Sequence, residues 1–478
     1  MFLALWAFAT PSYASTAPDN AAFATPSYAF AAPDYAAPPP PFGHALRPYF
    51  FFPQNYTQLN HGAYGGTPRP VISAQYDAVA RMEADIDPFM NGAAGYRQCI
   101  LDARTTFSRL MGTPFNDTVL VDNASEAINA ILRNLEPPLS PDEYILDLST
   151  AYGPFVGLYE WLGARQGVGL LTVPIAWPVT GPESFTAPVA SFLAANASLY
   201  NIRIAVISHI SAYPSALLPV RELVTILHAH NIAVAVDGAH ALGNIPFSVA
   251  DMGDPEYYFA NAHKWYLAPK SSCAMYVRRD RQLPHVPAPA VVDNIETQAF
   301  ADRFVWTGTR DRTPYCAIQA ATVRVCVRAR AHTRLSQAPP RPPPHTHTHT
   351  LTHSPLTPAL LQAFREWLGG EAAVTAYTTG LARWAASYLE GLWGVQKMAP
   401  LDMHTSMSLV QIPTTNATVC DVVRGGLVAR GWSVSGWTPV GTASNPIPCS
   451  FRLSAQVYLE QSDFMELGAL TLALIKGA

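Results

Sequence analysis

Charge is scarce in this chain. Asp, Glu, Lys and Arg make up 13% of it, about half the roughly 25% of an ordinary globular protein. The 30 basic and 34 acidic residues nearly cancel, leaving a formal net charge of −4. That balance supplies no basic surface for nucleic acid or an anionic membrane. Cysteine is sparse as well. Cys99, Cys273, Cys316, Cys326, Cys420 and Cys449 are scattered, with no CxxC pair and no metal-ligand spacing. The pattern excludes a zinc module, argues against a disulfide-stapled domain and points to a reduced compartment. No apolar run approaches the ~18 residues of a membrane-spanning helix, which excludes a multipass membrane protein.

What the chain has instead is core-forming material. Hydrophobic residues reach 49% of the 478, and a length of this order gives a prior of about three domains. The 43 prolines are nearly twice the usual share of about 5%, and they cluster. Phe8–Ala22 and Phe23–Ala37 form a tandem repeat identical at 12 of 15 positions. Two short units do not make a solenoid, so residues 1–48 read as a disordered Ala/Pro-rich leader. Met1–Ala9 has the apolar character of a signal h-region, but no basic residue precedes it. A second biased stretch, 328–358, contains APPRPPPHTHTHTLTHSPLTP. Its alternating histidines His345, His347, His349 and His353 suit either a metal tract or a low-complexity insertion; we read it as the insertion.

Between these segments, residues 49–327 alternate short apolar runs with helical patterns. Thr118–Asp122, Tyr144–Leu148, Val168–Val173, Ile202–Ser208, Ile232–Val236 and Cys273–Val277 read as strands. Ser125–Leu135, Phe155–Arg165, Pro188–Ala195 and Arg221–His230 read as helices. Strands lacking polar alternation and separated by helices imply an α/β fold with a mostly parallel sheet covered on both faces. Residues 359–478 read as a smaller α/β domain. Its helices are expected at Leu360–Leu368, Ala372–Gly391 and Asp463–Ile475, its strands at Met407–Ile412, Trp432–Val434 and Ser450–Ser454.

Two segments carry chemistry. IAVAVDGAH, at Ile232–His240, is a buried-strand pattern ending in Asp237, followed by His240. In an open α/β sheet the carboxyl ends of strands are where ligands bind. Taken alone, Asp237 reads equally well as a helix N-cap. NAHKW, at Asn261–Trp265, sets Lys264 among small and aromatic residues. Burial there would favour the neutral amine that a Schiff base needs, although a lone lysine in such a place also reads as one that snorkels to the surface. A lysine, a carboxylate and a helix N-terminus together suit pyridoxal 5′-phosphate: the lysine takes the aldehyde, the carboxylate holds the pyridine nitrogen protonated, and the helix holds the phosphate. VDNASEAIN, at Val121–Asn129, offers that helix start, with an ordinary Asn or Ser cap as the alternative.

These segments, with LNHGAYGGTP (Leu59–Pro68), AYGPF (Ala151–Phe155), SHISAYPSALLPVREL (Ser208–Leu223), WTGTRD (Trp306–Asp311) and FRLSAQVY (Phe451–Tyr458), resemble the class V aminotransferase family of pyridoxal-phosphate enzymes. The likeness is to its isopenicillin N epimerase-like branch, related to cysteine desulfurases and cysteine desulfhydrases. The resemblance runs from about Leu59 to the C-terminus, apart from the insertion. It implies the fold type I architecture of such transferases, a homodimer with shared sites, and no nucleic-acid or membrane partner. Carried over by motif, it makes Lys264 the Schiff-base lysine and Asp237 the partner of the pyridine nitrogen. His240 falls near the ring hydroxyl and Tyr152 on the ring face. Ala124, Ser125, Ser211, Asn261 and His263 fall around the cofactor, and Thr309 toward a neighbouring subunit's phosphate. Arg452 matches the arginine that grips a substrate carboxylate, a task suited to its fork of donors. The chain departs from the family pattern at Ala212–Ser215 (AYPS for SPTG), at Ser271 (often Gly) and at Tyr458-Leu459 (for Tyr-Asn).

The implied reaction acts on a small amino acid through an external aldimine and an α-carbanion. Epimerisation or racemisation, β-elimination of cysteine and transamination stay open, as does a non-catalytic cofactor-binding protein. A persulfide-forming desulfurase is disfavoured, since no cysteine sits where a mobile thiol could reach the substrate. Asn123-Ala124-Ser125 is a glycosylation sequon; a glycan there would obstruct the phosphate loop, so the cytosol is expected ahead of an organelle or secretion.

Overall fold

The computed structural model describes residues 33–92, 94–282, 299–318, 360–437, 440–442 and 445–478. The first repeat copy and most of the second, Cys326, and the 328–358 insertion with its four histidines lie outside the described residues.

Seven strands make the main sheet: β1 (Thr118–Val121), β2 (Glu143–Leu148), β3 (Gly169–Val173), β4 (Asn201–Ser208), β5 (Ala233–Asp237), β6 (Tyr257–Asn261) and β7 (Cys273–Val277). Their spatial order is β1-β7-β6-β5-β4-β2-β3. Neighbours run parallel except at β7, which is antiparallel to both β1 and β6. The mostly parallel sheet expected from the unalternating apolar runs is thus present, with one reversed strand. Successive residues of β5 go to opposite cores. Val234 and Val236 pack with Phe107, Phe185 and Leu223 on one face; Ala235 packs with Ile128, Phe155 and Phe259 on the other. On the second face lie the helices Ala124–Leu132 and Gly153–Gln166. The helix Tyr96–Met111, absent from the sequence reading, buries Arg104, Thr106 and Ser108 beside its apolar residues. Those polar residues blur its hydrophobic stripe.

A three-stranded antiparallel sheet forms the smaller unit. It contains β8 (Met407–Gln411), β9 (Ser435–Trp437) and β10 (Ser450–Ser454), in the order β9-β10-β8. Helices Gly370–Trp393, Ala417–Val428 and Gln461–Lys476 accompany it. The chain before Leu59 joins this unit: Thr57–Gln58 pairs in parallel with Trp432–Ser433. The His44 Nε2 lies 2.9 Å from an Asp463 oxygen, and the Gly43 N–H donates to Val457 O at 2.7 Å. Packed chain therefore begins ahead of residue 49, because this segment finds its partners more than four hundred residues downstream.

The cysteine reading needs correction. Cys99 pairs with Cys316 and Cys420 with Cys449, at Cα separations of 4.6 and 6.3 Å. The first pair is 217 residues apart, a proximity that spacing does not reveal.

Arg365 ties the C-terminal part to the main sheet. It is buried and donates to Trp265 O at 3.1 Å and Gly243 O at 3.5 Å, and it pairs with Glu371. Replacing it with methionine leaves those carbonyls and that carboxylate without the cation. We expect Arg365→Met to cost on the order of 3 kcal/mol in urea unfolding, with Arg365→Lys intermediate because it keeps the charge but not the fork.

Candidate active site

The site gathers where β5 and β6 end. Asp237 closes β5, and its carboxylate accepts the Ala239 N–H at 2.9 Å. Burial pushes its pKa up to about 6, against the opposing pull of the Lys264 charge. Lys264 follows β6 by three residues. Burial lowers its amine to about 8, Asp237 pulling it back up and Arg452 adding to the drop. The two groups predicted from IAVAVDGAH and NAHKW are therefore electrostatic neighbours, each displaced toward neutrality by a dry setting.

His240 stands beside them, its Nε2 3.2 Å from the Lys264 Nζ and its Nδ1 accepting the Trp265 indole N–H at 3.3 Å. Burial first, then the charges of Lys264 and Arg452, hold this imidazole well below its usual range. His263 is lowered to about 4, mainly by burial. Its Nδ1 is sealed from solvent and meets no partner among the described residues. Asn261 ends β6 and uses its Oδ1 to accept the Ala124 N–H at 3.0 Å. That bond seats the start of the helix Ala124–Leu132 against the strand. The first turn is capped by Asn123, whose Oδ1 accepts the Glu126 N–H at 2.9 Å, and Ser125 lies exposed in it.

Arg452, on β10, supplies the cation. It is buried and donates from Nη1 to Ala212 O at 3.1 Å and from Nη2 to the Asn60 Oδ1 at 2.8 Å. Its Nε has no partner, and no carboxylate faces it among the described residues. Burial lowers it to about 10, with the phenols of Tyr152 and Tyr64 as its electrostatic neighbours. Tyr152 caps the helix Gly153–Gln166 and is 43% exposed. It also feels Asp237, so its phenol is an electrostatic neighbour of both the carboxylate and the guanidinium.

Ser211 and Thr309 have local surroundings that the motifs do not reveal. The Ser211 hydroxyl closes its own turn, donating to Pro214 O at 2.5 Å and accepting the Ala216 N–H at 3.0 Å. Thr309 is exposed, and the arginines beside it pair with the helix start. Arg310 reaches Asp122 at 3.3 Å and Glu126 at 3.1 Å, and Arg312 reaches Asp122 at 2.7 Å. These arginines offset two carboxylates that flank the turn where an anion would sit. Sequence reasoning also passed over His61. It is buried, and its Nε2–H donates to Lys264 O at 2.8 Å while its Nδ1 accepts from the Tyr458 hydroxyl at 2.9 Å. Asn60 and His61 lie in a quoted block, LNHGAYGGTP, yet their partners stand 392 and 203 residues away. Ser271, where relatives often have glycine, takes a φ of 62°, the left-handed region that glycine enters most cheaply.

An open sheet of this order, carrying a lysine and a carboxylate at its strand ends, is the fold type I architecture of pyridoxal-phosphate enzymes. The chain belongs to the aminotransferase class-V family, whose model matches residues 66–309. Among relatives, an L-cysteine desulfhydrase of Arabidopsis thaliana is 30% identical, over 53% of this chain and 57% of its own length. The isopenicillin N epimerase of Streptomyces clavuligerus is 24% identical, over 54% and 66%. The chain thus spans little more than half the length of the first of these. Similar solved structures include a cysteine desulfurase from Thermococcus onnurineus NA1, at TM-score 0.66 and 14% identity over 92% of this chain and all of that one. The cystine C–S lyase C-DES, in complex with its product cysteine persulfide, aligns at TM-score 0.64 and 15% identity over 87% and 98%. No helix among the described residues is long and apolar enough to cross a membrane.

Two outcomes follow from the charges. Arg452→Met removes a buried cation that has no counter-ion, so the ligand-free chain should be as stable as wild type or more so in thermal unfolding. Lys264 falls from 10.5 to about 8, so between those values the unfolded chain holds a proton that the folded chain does not. Its contribution to stability therefore improves as pH rises through that window. The stability advantage of Lys264→Met over wild type should shrink from pH 8 to pH 10.5 in denaturant titrations.

Proposed function

We propose that this chain holds pyridoxal 5′-phosphate between β5, β6 and the helix Ala124–Leu132, and acts on a small α-amino acid by removing its α-proton. Three features fit that group. The His263 Nδ1 is buried and unpartnered, Asp237 is a buried carboxylate beside a lysine, and a capped helix start lies next to both. On this reading Lys264 carries the aldehyde carbon and Asp237 meets the pyridine nitrogen. Tyr152 covers a ring face and His240 lies near the ring hydroxyl. Ser125, the first helical turn and His263 receive the phosphate, with Asn261 and Ala124 holding the turn in place. Thr309 reaches the phosphate of a second subunit in a homodimer. When bound, the cofactor supplies an electron sink for the pair left behind as a bond to Cα breaks.

The residues then divide the work. Arg452 receives the substrate carboxylate through its Nε–H and the hydrogens that Ala212 and Asn60 leave unused. Asn60 and the Ala212 carbonyl hold the guanidinium plane. The free amine of Lys264, with its pKa at about 8, would serve as the base that takes a proton near neutral pH. Asp237, at about 6, is largely ionised there and so favours a proton on the ring nitrogen.

The observation that carries this reading is Arg452, a buried guanidinium in the site with no carboxylate of the chain to meet it. Sequence likeness is greater to the L-cysteine desulfhydrase than to the isopenicillin N epimerase, which favours β-elimination from cysteine over epimerisation. The cysteines agree with a reaction that needs no carrier thiol: among the described residues only Cys273 is unpaired, and it is buried. The disulfide pairs remove one support for a reduced compartment. The sequon at Asn123, on the phosphate turn, still supports the cytosol.

Reconstituted protein should show a yellow, borohydride-reducible linkage that Lys264→Ala lacks, and L-cysteine should yield sulfide and pyruvate. Cα–H exchange into deuterated water without sulfide release would favour the epimerase reading. A bound cofactor with no exchange for any amino acid would make the protein a non-catalytic binder. Arg452→Met should lose about 3 kcal/mol of transition-state stabilisation, roughly a hundredfold in kcat/KM.

A further inference from the structure

The Lys264 amine touches one ring nitrogen of His240, and the proton on that ring decides what the amine can be. Trp265 Nε1 donates to the His240 Nδ1 at 3.3 Å. An indole nitrogen can only donate, so the Nδ1 must present a lone pair and the imidazole is not doubly protonated. A neutral ring whose Nδ1 is bare carries its proton on Nε2. That Nε2–H lies 3.2 Å from the Lys264 Nζ. An ammonium there would set N–H against N–H, whereas a free amine accepts the bond with its lone pair.

We propose that Trp265 is a positioning residue whose indole N–H fixes the tautomer of His240, so that the imidazole offers Lys264 a proton and keeps it the free, nucleophilic amine. The inference rests on Lys264 as the reactive lysine, and it adds a residue that touches neither ligand nor reacting atom. Other charged and titratable groups bear on the same amine. Asp237 at the end of β5 favours its protonation, as does the buried Cys273 thiol on β7, while Arg452 on β10 disfavours it. The contribution of Trp265 is separable from theirs because it passes through one hydrogen bond. The backbone of Trp265 is itself held by the Arg365 fork, which keeps the indole from turning away.

The tautomer is readable in the full-length protein freed of cofactor, by two-bond 1H–15N correlation of 15N-labelled histidine, with His240 assigned from a His240→Gln sample. Wild type should show a protonated Nε2 and a bare Nδ1. Trp265→Phe keeps an aromatic ring and removes only the donor. It should move His240 toward the Nδ1–H form, whose bare Nε2 accepts from an ammonium. Lys264, Lys270, Lys397 and Lys476 are the chain's only lysines, so acylation of Lys264 can be followed by peptide mass spectrometry. Its midpoint should rise by about one pH unit in Trp265→Phe, roughly a tenfold loss of free amine near neutrality.

A protonated Nδ1 in wild type would overturn the proposal, even if Trp265→Phe did not fold. So would a variant in which either the tautomer or the Lys264 midpoint stayed where wild type has it. Neither measurement uses the cofactor. Failure to bind pyridoxal phosphate would sink the proposed function alone, and a wrong tautomer in a cofactor-binding protein would sink this inference alone.

Discussion

The dry space shared by Asp237 and Lys264 is the constraint on which the rest of the site depends. A carboxyl at about 6 and an amine at about 8 are each displaced toward the neutral form by burial and drawn back by the other. Neither could tolerate a further fixed charge at close range without losing its poise. The chain surrounds them with imidazoles that burial keeps uncharged: His61 near 3, His263 near 4, and His240 well below its ordinary value. Such rings give and accept hydrogen bonds without altering the charge balance. The exception is Arg452, a buried cation that the fold does not neutralise.

Holding that arrangement takes contacts from distant parts of the chain. The segment 261–265 is pinned at three backbone or amide points. Asn261 bonds the helix start at Ala124, Lys264 O receives the His61 ring, and Trp265 O receives Arg365. His61 is in turn held by Tyr458. The lysine thus sits on a loop whose main chain is fixed from the N-terminal segment, from the C-terminal unit and from the sheet itself. Supporting bonds of this kind keep a reactive group in one geometry. They also explain why the chain before Leu59 is folded against the C-terminal unit instead of trailing from it.

Much of this was legible in the sequence, though unevenly. The unalternating runs at 204–207 and 233–236 read directly as buried parallel strands, and their carboxyl ends located Asp237. The antiparallel course of β7 was not legible, because an antiparallel strand buried on both faces has the same composition as a parallel one. Lys264 and Arg452 came from motifs. The supporting residues His61, Asn60 and Arg365 did not, since each acts over a hundred residues or more and through backbone atoms or a single amide oxygen. The turn that Ser211 closes was not legible for a related reason: its partners Pro214 O and Ala216 N–H are main-chain atoms. The cysteine pairs escaped because their spacing carries no signal at separations of 29 and 217 residues.

The departures from the family pattern also have physical readings, and these separate the shared chemistry from the choice of substrate. AYPS replaces SPTG at Ala212–Ser215, yet Arg452 is met there by the main-chain oxygen of Ala212, which any residue supplies. The bond that holds the guanidinium therefore survives the change of side chains. Ser271 holds the φ of 62° that a glycine would take, at a modest cost in backbone strain. It lies near the strand end and not on a reacting group. Tyr458, where only the following residue differs, keeps its bond to His61. On the reading proposed above, the parts that move a proton are thus intact, and discrimination would fall to the side chains around Arg452. Of these, Tyr64 is 77% exposed and Tyr152 is 43% exposed. Both phenols are its electrostatic neighbours. On the proposed reading, two phenols near the guanidinium suit a short amino acid whose side chain is shed or kept small, more readily than a long polar one that would need buried partners of its own.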